Sequence, residues 1–283
     1  NNLKRTSIMI KLGCMSLSYN RALSEGRMDL PAFVDKACEL GLDGIDLHTG
    51  AFASEEEDYL RDIRMRCLKR GLAISYIGIS NNFGKPLTDL PDEIDKVKHW
   101  IDVAEQMRVP MVRIFGAWER EDEPKEVIWS RMIDCIKAVM AYAGEKGIVV
   151  GLHNHNHGCV TRTGDDVIRI LEEVDHPYFS HIMDTGQYAG SPGASGAEGK
   201  PDPNYDFYGS MEKSVPFAVH VRAKIYRIQT GEEVWLDYPR ILKIIRGANF
   251  NGWMSIVYEG QAAEPEETAV PKAVSYLRRL LND

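Results

Sequence analysis

Short apolar segments alternate with longer amphipathic segments along the whole chain. The apolar segments are rich in β-branched residues and have no polar face. That pattern is typical of parallel strands that are buried on both sides. The predicted strands are Ile8–Gly13, Gly44–His48, Leu72–Ile79, Met111–Phe115, Ile148–His153, Phe179–Met183, Phe217–Val221 and Met254–Tyr258.

Between these strands, apolar residues recur at helical spacing. The first amphipathic segment carries Leu30, Phe33, Val34 and Ala37 on one face and ends at Gly41. Proline at the start of a later segment suits a first helical turn. The other predicted helices are Tyr59–Leu68, Pro91–Met107, Pro124–Lys146, Gly164–Val174, Tyr238–Arg246 and Glu264–Leu281.

Eight such units in succession predict an α/β protein, a (β/α)8 TIM barrel, formed by residues 1–283 as a single domain. A doubly wound open sheet is the alternative. That fold usually carries a glycine-rich phosphate turn after its first strand, and Gly13–Ser16 is not such a turn. The segment Ala189–Tyr205, rich in Gly, Pro and Ser, is predicted to be a mobile loop over the mouth of the barrel.

Composition and charge exclude several classes of partner. The chain has 283 residues and a net charge of -8, which argues against binding a nucleic-acid backbone. Its apolar runs are too short to cross a membrane. The five cysteines are scattered without a CxxC pair, which favours a reducing compartment, so we expect a cytoplasmic protein, with a processed exported form as the alternative. A homo-oligomer is also expected.

Polar residues collect at the carboxyl ends of the predicted strands, where barrel enzymes hold their active residues. The sharpest feature is the series His153, His155 and His157, whose alternate spacing points the three rings to one side of an extended segment. The alternative is a polar loop with histidines by chance. The other strand ends contribute His48, Arg113, Trp118, Asp184, His220, Arg222, Lys224 and Glu259.

Four of these residues form a candidate metal site. One imidazole from the fifth strand, with Asp184, His220 and Glu259, gives mixed nitrogen and oxygen ligation. Such a set suits Mn, Mg, Co or Zn. The alternatives are a helix cap or turn residue at Asp184 and a buried core histidine at His220.

Six short segments, in their order and strand placement, form a pattern shared with known proteins. They are Ala37–Asp46, Val112–Gly116, Met183–Gly186, Val219–Arg222, Asp237–Tyr238 and Tyr258–Gly260. In these segments the sequence resembles the xylose isomerase-like TIM barrel superfamily, the sugar phosphate isomerase/epimerase group, over nearly the whole chain. The resemblance implies one divalent metal, with manganese favoured, held by Asp184, His220 and Glu259, and His153 standing where the family has a glutamate.

The resemblance further implies an enzyme that removes a proton next to a carbonyl of a sugar, keto-glycoside or cyclitol, giving isomerisation or epimerisation. The alternative is a lyase or dehydratase that eliminates from a 3-keto glycoside, including a C-glycoside, or from an inosose. The missing glutamate, and Gln187 where ketose 3-epimerases have histidine, make a standard ketose 3-epimerase less favoured. A non-catalytic sugar-binding barrel and a metal-dependent phosphodiesterase are weaker alternatives.

An enzyme of this type gives each of these residues an expected role. Glu259, His155 and Lys224 are the expected catalytic residues, and a small carbohydrate or cyclitol is the expected partner. The residues expected to contact that substrate are His48, Arg113, Trp118, His157 and Arg222.

Overall fold

The computed structural model describes residues 9–194 and 198–282. Eight parallel strands close into a barrel in chain order, each strand pairing with the next and β8 pairing with β1. This confirms the predicted (β/α)8 barrel. The single-domain span 1–283 stays a prediction. The strands are β1 (Lys11–Met15), β2 (Gly44–His48), β3 (Ala73–Gly78), β4 (Met111–Ile114), β5 (Val149–His153), β6 (Phe179–Asp184), β7 (Ala218–Ile225) and β8 (Trp253–Tyr258).

Helices surround the barrel. Those in the described residues are α1 (Asn20–Ser24), α2 (Leu30–Glu39), α3 (Glu57–Lys69), α4 (Leu90–Met107), α5 (Lys125–Lys146), α6 (Gly164–Val174), α7 (Phe207–Ser214), α8 (Tyr238–Gly247) and α9 (Glu266–Asn282). None of the described helices is long and apolar enough to cross a membrane.

Alternation along the strands separates two environments. Outward side chains such as Ile45, Leu47 and Val221 pack with the helices into one large apolar core. The inward side chains form only a small apolar cluster, made of Met15, Tyr76, Met111, Ile182 and Val257. The rest of the barrel interior is polar, and this polar interior leads up to the C-terminal mouth.

One strand and two helices differ from the sequence predictions. Strand β7 continues to Ile225 instead of ending at Val221, which affects the site. Helices α1 and α7 are not among the predicted helices. The remaining predicted strands agree with the structure to within a few residues at each end.

The predicted loop Ala189–Tyr205 includes residues 195–197, which lie outside the described residues. Its described part is packed at the C-terminal side of the barrel. Ala189 and Ser191 are buried, and the Asp202 N–H donates to the carbonyl of Gly190. The loop and His157 together line a cavity of about 520 Å³. This part of the loop therefore forms one wall beside the histidine series.

Candidate active site

Strand β7 sets the depth of three charged side chains inside the barrel. His220, Arg222 and Lys224 alternate along it and all three are buried. The Cα of Arg222 pairs with Asp184 at the end of β6, whereas His220 pairs with Trp253, the first residue of β8. At about 3.3 Å per residue, His220 lies about 13 Å further down the strand than Lys224.

Asp184 is the centre of a buried ion-pair network. Its Oδ2 accepts a hydrogen bond from Arg222 Nε at 2.9 Å, and it lies 3.2 Å from His153 Nε2 and 3.3 Å from Lys224 Nζ. Its Oδ1 accepts from the Gly186 N–H at 3.0 Å. Burial alone would raise the pKa of this carboxyl, but Lys224, His153 and Arg222 outweigh it and hold the pKa well below the usual range.

Asn154 fixes the backbone of Asp184. Its amide donates to the Asp184 carbonyl at 2.9 Å, and its carbonyl oxygen accepts from the Asp184 N–H at 2.7 Å. Both residues are fully buried. Asn154 is not among the residues predicted from the sequence, although its place between two histidines at the end of β5 is a signal for it. The paired bonds hold the carboxylate in position.

Lys224 joins the network to the mouth. Its ammonium lies 2.5 Å from Glu259 Oε1 and 3.3 Å from Asp184 Oδ2. Lys224 is only 1% exposed, whereas the Glu259 side chain is 44% exposed just beyond β8. The structure thus brings together four of the predicted residues: Asp184, Arg222, Lys224 and Glu259.

Beside this network, histidine and aromatic rings form one wall. The ring of Phe115 lies 5.1 Å from that of His153 and 5.2 Å from that of His155, and Trp118 lies 5.6 Å from His155. The exposed ring of His157 lies 5.2 Å from His155. The predicted residues Trp118, His155 and His157 are therefore neighbours.

His155 is a neutral imidazole with one defined tautomer. Its Nδ1 lies 3.0 Å from the carbonyl oxygen of Asn156, which can only accept, so Nδ1 carries the proton and Nε2 keeps its lone pair. Burial, together with the nearby charge of Lys224, lowers the pKa of His155 to about 4. The ring is therefore neutral at physiological pH, with a lone pair on Nε2.

Arg113 lies in β4, and His48 is the last residue of β2. Arg113 is 1% exposed, donates to the Ile79 carbonyl at 3.1 Å and stacks 4.2 Å from the Phe115 ring. Burial and the charge of Arg222 lower its pKa to about 9. His48 accepts from the Gly50 N–H, so its Nε2 donates to Ser80 at 3.0 Å, and burial lowers its pKa to about 4.

His220 does not join the other predicted metal ligands. Its Nδ1 lies 2.8 Å from Ser75 Oγ, its Nε2 lies 3.3 Å from Asp46 Oδ2, and its ring meets Tyr76 edge-on at 4.9 Å. This is the floor of the barrel. The sequence prediction ends β7 at Val221, which would place His220 near the mouth, whereas the observed strand continues four residues further.

The four predicted ligands therefore do not form a coordination shell. In residues 9–194 and 198–282, no three side chains of His, Cys, Asp or Glu are grouped so that they could hold a metal ion. The lone pairs of Asp184 are directed to Arg222, Lys224 and His153 instead. As arranged, the four predicted ligands do not fit the divalent-metal site that the sequence predicted.

Comparisons with known proteins agree with the fold. Residues 34–280 match the family described as xylose isomerase-like TIM barrel. No curated protein matches the chain. A 3-keto-D-glucoside 4-epimerase, YcjR, from E. coli has a similar structure, with 14% identity, a TM-score of 0.72, and coverage of 97% of this chain and 100% of that one.

Two further solved structures show the same similarity. A D-allulose 3-epimerase from Methylomonas sp. is 13% identical with a TM-score of 0.72, over 96% of this chain and 98% of the other. An L-ribulose 3-epimerase is 13% identical with a TM-score of 0.74, over 97% of this chain and 95% of the other. At these identities the similarity shows the shared barrel fold.

Proposed function

The chain belongs to the xylose isomerase-like TIM barrel family, and from this premise we propose that it is an enzyme that moves a proton next to a carbonyl group of a sugar, keto-glycoside or cyclitol. The reaction outcome is isomerisation or epimerisation. The names of the similar structures, which are sugar epimerases, support this type of enzyme.

One observation carries the proposal. A neutral imidazole, His155, has a free lone pair within the electrostatic reach of a buried ammonium, Lys224. Proton transfer from carbon needs a base that is unprotonated at working pH and a positive group where negative charge develops on oxygen. The mouth supplies both. Glu259, partly exposed and paired with Lys224, is a second group that can exchange a proton.

The surrounding rings suit a carbohydrate. Trp118 and Phe115, whose centroids are 5.1 Å apart, offer apolar faces against which the C–H face of a sugar or cyclitol can pack. Arg113 and the exposed His157 supply N–H groups for its hydroxyl and carbonyl oxygens. His48 already donates to Ser80, and Arg222 to Asp184 and Tyr76. We assign no step to a divalent metal, because the donor set does not fit one.

Elimination from a 3-keto glycoside or an inosose begins with the same proton abstraction. The test therefore follows the shared step. Keto-sugars, 3-keto glycosides and inososes are incubated with the protein in D2O, and deuterium at the carbon next to the carbonyl is measured by NMR. Enzyme-dependent uptake is expected for at least one class. Epimer formation, or release of the substituent, then identifies the outcome, and no uptake from any class would reject the proposal.

Cellular location and assembly are further proposals. All five cysteines are free, which supports a reducing compartment such as the cytoplasm. The homo-oligomer stays a prediction.

A further inference from the structure

We infer that the ammonium of Lys224 has, in this barrel, the role expected of a divalent metal ion. It binds the substrate's carbonyl oxygen, so that proton transfer proceeds without a metal ion. The inference rests on the proposed function for its reaction, but its claim about metal can be tested without any substrate.

The ammonium of Lys224 lies between two carboxylates. The resemblance assigns Asp184 and Glu259 to one shared metal. In the structure, Lys224 Nζ lies between those two carboxylates, 3.3 Å from Asp184 Oδ2 and 2.5 Å from Glu259 Oε1. A cation of the chain itself thus bridges the pair that a bound ion would have bridged.

Arg222 lies beside Asp184 on the neighbouring strand. Its Cα pairs with that of Asp184, so the guanidinium stands at the depth of the carboxylate. Nε donates to Asp184 at 2.9 Å, and Nη1 donates to the Tyr76 hydroxyl at 2.5 Å. A metal bound to Asp184 would have to displace this buried, hydrogen-bonded cation. Such a displacement is costly, because it leaves a charge without its partner.

The Lys224 ammonium has more N–H groups than there are carboxylates facing it. A lysine ammonium has three N–H donors. In the part of the chain that the structure describes, two acceptors face it, namely Asp184 and Glu259. One N–H is left over, and we assign it to the substrate oxygen. Arg222, by contrast, is held by Asp184 and Tyr76 and serves to position the carboxylate.

The chemistry then balances without a further reactant. The C–H bond next to the carbonyl breaks, and His155 Nε2 takes the proton. The electron pair of that bond forms a C=C bond, while the carbonyl π pair moves onto oxygen. The third N–H of Lys224 hydrogen-bonds to the negative oxygen and stabilises it, as oxyanion donors do. Return of the proton completes the exchange.

The first experiment measures metal directly. The purified wild-type protein is analysed for divalent metals by mass spectrometry and then titrated with Mn²⁺ and Zn²⁺ in equilibrium dialysis. We expect substoichiometric metal and no saturable site. One tightly bound equivalent of either ion would overturn the inference and leave the proposed function intact. Because no substrate is needed, this result stands even if no deuterium uptake is found.

The second experiment uses the reaction. With a substrate found in the D2O screen, wild-type turnover should be unchanged by EDTA. Lys224→Met should lower kcat on the order of 10²–10³-fold, the loss typical of one oxyanion donor. Lys224→Arg should recover part of it. The matched control is Lys272→Met, which removes a lysine on α9 that pairs with Glu264.

Two outcomes of the second experiment would overturn the inference. One is loss of wild-type turnover in EDTA with recovery on adding Mn²⁺. The other is a Lys224→Met variant that folds and turns over like the Lys272→Met control. If Lys224→Met does not fold, the effect of EDTA on the wild-type protein still decides the question.

Discussion

At the scale of single residues, the site depends on how charges are paired inside the barrel. Asp184, Arg222 and Lys224 are each at most 3% exposed, and each lies within 3.3 Å of an oppositely charged group. Buried charges are tolerated when they are paired and hydrogen-bonded. Removing one member therefore has a larger effect than removing an exposed pair.

The variant Asp184→Asn tests this pairing. It leaves two buried cations without their shared carboxylate, so the free energy of unfolding should fall by about 3–5 kcal/mol. Urea denaturation at pH 7 measures the change. The control is Asp165→Asn, since Asp165 pairs with Lys213 on the surface. Equal stability of the two variants would show that Asp184 does not stabilise the folded protein by pairing with the two buried cations.

His155→Gln tests the assigned base. Glutamine keeps polar contacts but cannot accept the proton at a comparable pKa, so deuterium uptake should fall about 10²–10⁴-fold. His176→Gln, at a histidine that follows α6 outside the mouth, is the control. Circular dichroism checks that both variants fold. Uptake that survives in His155→Gln would assign the base to another residue, with Glu259 next to be substituted.

At the scale of elements, β7 shows what the sequence could and could not reveal. The positions of all eight strands follow from apolar runs, which the structure confirms to within a few residues. The apolar run ends at Val221, so the predicted β7 stops four residues before the observed end and leaves out Arg222 and Lys224. In the barrel both charges are compensated by Asp184, from another strand. A pairing across strands of this kind cannot be read from local sequence.

The loop between β6 and α7 offers a prediction at the same scale. A methyl group built on Gly193 would overlap the ring of Tyr226, which follows β7. Gly193→Ala should therefore displace the loop, at a cost of about 1–3 kcal/mol. Thermal denaturation and turnover should both report it. Gly247→Ala, where a methyl group meets nothing within 4 Å, should match the wild-type protein. An unaffected Gly193→Ala would show that the loop contact is dispensable.

At the scale of the whole molecule, buried neutral histidines link stability to pH. His181 is fully buried, its Nδ1 donating to the Leu152 carbonyl, and burial lowers its pKa to about 4. The ordinary value is about 6.5. Between these two values the unfolded chain binds a proton that the folded chain excludes, so stability falls as pH falls through this window.

We expect this residue to contribute a slope of about 1 kcal/mol per pH unit between pH 6 and 4.5. Urea denaturation across that range measures it, with His181→Gln as the comparison. The variant should show a shallower slope, whatever its stability at pH 7. Parallel slopes in the two proteins would contradict the assignment.

The whole site was predictable from the sequence only in part. The barrel, the mouth and eight of its residues followed from strand order and from the histidine series: His153, His155, His157, Trp118, Asp184, Arg222, Lys224 and Glu259. The depth of His220 did not follow, because it depends on where β7 ends. Nor did the roles of Asn154 and Tyr76, which depend on contacts with Asp184 and Arg222 from other strands.

The proposed reaction is the movement of a proton next to a carbonyl by a cationic, imidazole-containing barrel mouth. Its most direct test is deuterium incorporation from D2O into a keto-sugar, 3-keto glycoside or inosose by the wild-type protein in EDTA, with His155→Gln beside it. We expect uptake at the carbon next to the carbonyl by the wild-type protein and its near-complete loss in the variant. No uptake by the wild-type protein, with or without added Mn²⁺, would contradict the account.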